Sequence, residues 1–178
     1  MAMYNRLFLA VLFTGLLHPI AEASGVPTIP FVDGRWQGGT KGGPDRSDFE
    51  ECWASTEFDD GTVFTLTKRR DGSWNLQLSN PGWRLPQPRR YAMVALVDFY
   101  PRLRIAAEAK NQTLLEIADL DHISLLGLIE NGHTIDLASD GFNEKYELEG
   151  SAKIIQRIRN CFDQFVGEMP AAVNGPRR

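Results

Sequence analysis

The chain has 178 residues, 43% of them apolar, with 19 lysines and arginines against 23 aspartates and glutamates, and two cysteines. This is the length of one ordinary domain. A net charge of −4 without a basic stripe excludes a dedicated nucleic-acid binder, and two cysteines with no Cys/His pair at finger spacing exclude a structural zinc module.

The N-terminus reads as an export address. Arg6, with no acid beside it, precedes an apolar run from Leu7 to Leu17 broken only by Thr14 and Gly15, and Ala21-Glu22-Ala23 supplies the small residues of a cleavage site. The run is shorter than the roughly 20 residues that span a bilayer as a helix, and His18-Pro19 ends it. We expect a signal peptide over residues 1–23, cleavage near Ala23, no permanent membrane anchor, and a periplasmic or secreted protein. In such an oxidising space Cys52 and Cys161 most simply form one intramolecular disulfide. A reactive thiol is the alternative, but there is no Cys-x-x-Cys pair and neither cysteine has a histidine near it in sequence.

Residues 24–47 are rich in glycine and proline and are expected to form a flexible lead-in, in which only Phe31-Val32 and Trp36 could dock. From Glu50 onward, alternation and turn signals recur at short intervals. Cys52 to Glu57 alternates, Asp59-Asp60-Gly61 offers a hairpin turn, and Val63 to Lys68 follows as a strand. Asp71-Gly72 supplies the next turn, after which Trp74, Leu76 and Leu78 share one face. Asn80-Pro81-Gly82 is a turn, and Pro86 and Pro88 keep the next segment extended. Tyr91 to Val97, Leu103 to Ala109 and Thr113 to Ala118 are further strands, with Phe99-Tyr100-Pro101 as a corner. A short helix over His122 to Glu130, capped by Asp119 or Asp121, precedes strands Thr134 to Ala138 and Phe142 to Leu148. Ser151 is a suitable N-cap for a final amphipathic helix whose apolar stripe runs from Ile154 to Phe165 and includes Cys161. The predicted class is α+β: a meandering antiparallel sheet or small β-sandwich, with a short crossing helix and a C-terminal amphipathic helix. This gives one compact domain over 48–166 and a flexible tail over 167–178.

Leu148-Glu149-Gly150-Ser151 running into a helix that ends at Cys161, together with Asn80-Pro81-Gly82-Trp83 and the earlier Cys52, resembles small exported Gram-negative bacterial proteins of unassigned function, with a cysteine-ended C-terminal helix. The likeness spans most of Cys52 to Cys161. It implies an exported protein and transfers no catalytic residue.

Chemistry is sparse. Gly150-Ser151 lacks the flanking pattern of a nucleophile elbow, and only His122 and His133 follow the leader to act as a base. Asp119, Asp121, His122, His133 and Asp136 are candidate metal ligands within a short stretch, but no pair has a recognised ligand spacing, and helix caps or strand-edge charges account for the aspartates equally well. Asn111-Gln112-Thr113 matches a glycosylation acceptor that matters only in a eukaryotic secretory route.

Charge is segregated. Residues 45–60 hold seven carboxylates against Arg46, whereas residues 68–104 hold eight basic side chains against Asp71 and Asp98. Cross-strand neutralisation is the simpler reading; steering toward an acidic partner, a lipid headgroup or a polyanionic glycan is the functional one. Within the basic span, Trp83, Arg84, Arg89 and Arg90 form the candidate binding surface, with Trp83 as a core plug the competing reading. We expect no cofactor and a non-catalytic binding domain whose partner is an envelope protein or polyanionic glycan. The rival is a secreted hydrolase, metal-dependent through Asp119 to Asp136.

Overall fold

Alternation with period two dominates the chain. The computed structural model, which describes residues 30–42, 46–86 and 89–166, turns that alternation into ten antiparallel strands. The leader expected over 1–23 and the tail expected over 167–178 lie outside the described residues. The strands are β1 (Phe31–Asp33), β2 (Trp36–Gly42), β3 (Phe49–Glu57), β4 (Val63–Arg69), β5 (Trp74–Ser79), β6 (Arg90–Val97), β7 (Leu103–Asn111), β8 (Leu114–Ile117), β9 (Thr134–Ser139) and β10 (Phe142–Glu147). Two helices complete the fold, α1 (Leu125–Asn131) and α2 (Ser151–Val166).

The spatial order is β1-β2-β3-β4-β5-β8-β7-β6-β9-β10. The meander is therefore interrupted once, where β8 returns to pair with β5 and leaves β6 to pair with β9. These two ladders correct the expected α+β sandwich. They join the two halves into one continuous hydrogen-bonded sheet rather than two facing layers, and α1 packs on α2 instead of crossing the sheet between layers. The meandering sheet fits; the sandwich with a crossing helix does not.

One face of the sheet is mainly apolar. Phe64, Leu66, Leu76, Leu78, Ile117 and Leu137 are fully buried there, each two residues from the next inward position on its strand, as the pleat requires. The sheet curls over this face: Tyr146 of β10 reaches the rings of Phe58 and Phe64, 5.0 and 5.9 Å away. Helix α2 lies against β2, β3 and β4 and buries Ile154, Ile155 and Ile158. The Cys52–Cys161 disulfide forms as expected, tying β3 to α2 across 109 residues of chain.

The flexible lead-in expected over 24–47 is corrected within the described residues. Strands β1 and β2 extend the sheet beyond β3, and Trp36 is buried, with its indole Nε1 donating to the Glu149 carbonyl at 2.8 Å. Glycine makes this possible. A Cβ on Gly38 would collide with the Phe31 ring and the Trp53 carbonyl, so the residue that reads as a flexible spacer is here the one that lets two strands and a ring approach closely.

Both expected helix caps also differ. Neither Asp119 nor Asp121 caps α1 through its side chain; the helix starts after Ser124, which sits in the left-handed region at φ 61° with no side-chain cap. Ser151 is the first residue of α2, and its hydroxyl donates instead to the Ile129 carbonyl at 2.7 Å. That buried bond satisfies a late carbonyl of α1 and fastens the two helices together.

Candidate functional site

The expected basic surface divides. Trp83 turns inward against Phe142, ring centroids 5.5 Å apart and nearly perpendicular, and packs on the core. Arg84 folds back onto the carbonyls of Pro81 and Trp83, Arg89 lies over the Tyr91 ring, and Arg90 opens β6 opposite Glu108. Trp83 is thus a plug, and the three arginines have separate neighbours.

The candidate metal ligands do not converge. Asp121 and His122 are exposed in the turn before α1, Asp119 closes β8 at φ 56°, Asp136 stands on β9 in register with Leu96 and Lys145, and His133 follows α1. Among the described residues no group of three or more His, Cys, Asp or Glu side chains is placed to hold a metal ion.

Charge neutralisation across strands is extensive on the outward face. Glu51 faces Arg69 in the β3–β4 register, and Arg90 faces Glu108 in β6–β7. Glu116 is 4% exposed and accepts from Arg69 at 2.6 Å and Gln77 at 3.0 Å, with Lys110 at 3.3 Å. Burial by itself raises the Glu116 pKa, but these donors outweigh it and hold the carboxyl below its ordinary value. Glu51 moves the other way: burial outweighs the attraction of Lys41 and Arg69, and Glu50 and Glu116 add repulsion, so its pKa is raised. An acid with a raised folded-state pKa stabilises the fold below its unfolded value and loses that contribution as pH rises through the folded one. Glu51→Gln should therefore raise stability by about 0.5 kcal/mol at neutral pH, and the gain should vanish below pH 4.5, where wild-type Glu51 is itself protonated. Urea midpoints at the two pH values check this; a destabilised variant at neutral pH would contradict it.

The most distinctive surface feature lies at the corner between β6 and β7. Phe99 is 103% exposed and Tyr100 48%. Aromatic rings of this size ordinarily serve burial. The corner that carries them is held firmly. Asp98 is in the left-handed region at φ 47°, a conformation that costs energy for a residue with a Cβ and persists where its surroundings enforce it. Its carboxylate accepts the backbone N–H groups of His133 at 3.0 Å and Thr134 at 2.8 Å, and its own N–H donates to the Thr134 carbonyl at 3.1 Å. The backbone bonds from His133 and Thr134 hold the Asp98 carboxyl below the usual carboxylate range. Tyr100 N–H closes the turn on the Val97 carbonyl at 2.9 Å. His133, whose side chain is 91% exposed, sets its Nδ1 3.3 Å from Asp98 and completes an open depression of about 510 Å³ with Asp98, Phe99 and Tyr100.

By sequence, Phe99-Tyr100-Pro101 is only a corner. Two consecutive aromatic residues in a turn, where polar residues are usual, were the available signal. His133, one of the candidate metal ligands, belongs to the Asp98 clamp.

No family model matches the sequence, and no curated protein matches it. Among solved structures, the fold is similar to the crystal structure of invasion-associated protein B from Bartonella henselae, with a TM-score of 0.56 at 14% identity over 77% of this chain and 99% of the other. At that identity the likeness shows a shared fold. The disulfide is a mark of an oxidising compartment, and among the described residues no helix is long and apolar enough to cross a membrane.

Proposed function

We propose that the chain is an exported, non-catalytic binding protein of the cell envelope, periplasmic or secreted after leader cleavage near Ala23, and that its contact surface is the aromatic corner at Asp98 to Tyr100. The observation that carries this reading is Phe99, a fully exposed ring on a corner that Asp98 clamps to the start of β9. Presenting an apolar ring to water on a fixed backbone has a cost, and a binding role supplies the return. The partner is an envelope component bearing negative charge, since Arg102 and Arg104 follow directly and both are exposed. The fold likeness to a protein titled as invasion-associated is compatible with an envelope role.

A photo-crosslinking residue at position 99, introduced in intact cells, should capture the partner, whereas the same residue at Asp140, in the exposed β9–β10 turn, should not. Equal labelling at both positions, or none at position 99, would remove the support for this surface.

A further inference from the structure

We infer that the β6–β7 corner docks reversibly on an anionic phospholipid surface, with Phe99 and Tyr100 entering the interface and Arg102 and Arg104 meeting the phosphates. The inference rests on the reading of this corner as the contact surface and names its partner.

Four observations lead to lipid. The first is shape: the corner is a hairpin end whose Phe99 side chain is wholly exposed, so it projects instead of lying in a flat patch. A stable protein interface buries about 800 Å² on each partner, and one Phe with half of one Tyr supplies a fraction of that as apolar contact. An interfacial membrane contact needs only a few aromatic or aliphatic side chains beside cations. The second is chemistry. Phe offers a purely apolar ring and Tyr an apolar body with a polar tip, which suits the boundary between acyl chains and headgroups. The third is charge. Arg102 and Arg104 are exposed and take part in no ion pair among the described residues, so their guanidinium groups are free to fork onto phosphate oxygens. The nearest acid on the corner, Asp98, has its carboxylate occupied by His133 and Thr134. Asp136, in register with Leu96, has Lys145 as its cross-strand partner. The fourth is rigidity. The Asp98 clamp and the Tyr100 turn fix the corner before contact, which lowers the ordering entropy that binding must overcome.

Binding of this kind is weak and salt-sensitive. Each arginine near an anionic surface contributes an attraction equal to about a fivefold change in affinity, and the Phe99 ring contributes about tenfold or more.

The test expresses the full 178-residue chain, purifies the exported protein, and sediments it with vesicles of phosphatidylglycerol mixed with phosphatidylcholine, or of phosphatidylcholine alone. Wild type should pellet with the anionic vesicles and much less with the neutral ones. Phe99→Ser should weaken binding about tenfold and Arg102→Gln with Arg104→Gln about twenty-five-fold together, while Asp140→Asn, in the β9–β10 turn, should leave it unchanged. Circular dichroism of each variant establishes that it is folded. Absence of wild-type binding to anionic vesicles, or binding that Phe99→Ser leaves intact, overturns the inference. Crosslinking at position 99 then separates the two claims. A protein adduct without vesicle binding keeps the contact surface and replaces lipid by a protein partner; neither adduct nor vesicle binding removes both.

Discussion

Replacing Cys52 and Cys161 together by alanine is expected to lower the stability of the domain by about 4 to 5 kcal/mol. The bond closes a loop with a sequence separation of 109 residues, and the entropy that such a closure removes from the unfolded chain grows with the logarithm of loop length. The native side adds to the effect. Cys52 is completely buried on β3 and Cys161 is 6% exposed on the α2 stripe, so two alanines also leave a small void between sheet and helix. For a body of this size the loss corresponds to a fall in Tm on the order of 10 °C or more. Thermal and urea unfolding of the double variant measure it, and a shift of only a degree or two would mean that α2 is held by packing alone. The double substitution is the informative one, because a single replacement leaves a free thiol able to pair between molecules.

Trp36→Ala is expected to cost about 3 to 5 kcal/mol, the range for deleting a large buried aromatic side chain. Trp36 is 2% exposed, meets Phe64 edge to face at 6.1 Å, and donates to the Glu149 carbonyl just before α2. It therefore couples β2 to the sheet interior and to the start of the last helix. Trp36→Phe should retain most of the packing and lose mainly the hydrogen bond, about 1 kcal/mol. If residues 30–42 were a tether, both variants would unfold with the wild-type midpoint, an outcome that would falsify the assignment of β2 to the core.

What the sequence could disclose was governed by how local each signal is. The run from Trp74 to Ser79 alternates cleanly, Asp71-Gly72 marks its turn, and the stripe from Ile154 to Phe165 repeats at helical spacing; each element forms where its own pattern puts it. The disulfide followed from compartment and from the even cysteine count. Strands β1 and β2 were hidden because Gly38 is selected by a neighbour, the Phe31 ring and the Trp53 carbonyl, and not by the conformation of its own segment. The β5–β8 and β6–β9 ladders, which make one sheet of what reads as a possible sandwich, are pairings between segments distant in sequence. The exposed aromatic corner fared least well. Its clamp joins Asp98 to His133 and Thr134 across 35 and 36 residues, and the exposure of Phe99 is a property of where the corner ends up, not of Phe-Tyr-Pro as a string. Trp83 shows the converse: both of its readings were visible, and the contact with Phe142 decides between them.

An open ten-stranded sheet has two edges, each a row of unpaired backbone groups that could recruit a strand from another molecule. Here the edges are β1 and β10. Strand β1 is only three residues long, and its Asp33 is gripped by Lys153 and Arg157 of α2, at 2.8 and 3.0 Å. Strand β10 shows Asn143, Lys145 and Glu147 to solvent, and Arg35, in the turn between β1 and β2, reaches Glu147 at 3.6 Å. The curl thus brings the ends of the sheet toward each other and dresses both with charge. A sheet with such edges can be concentrated without serving as a template for fibrils.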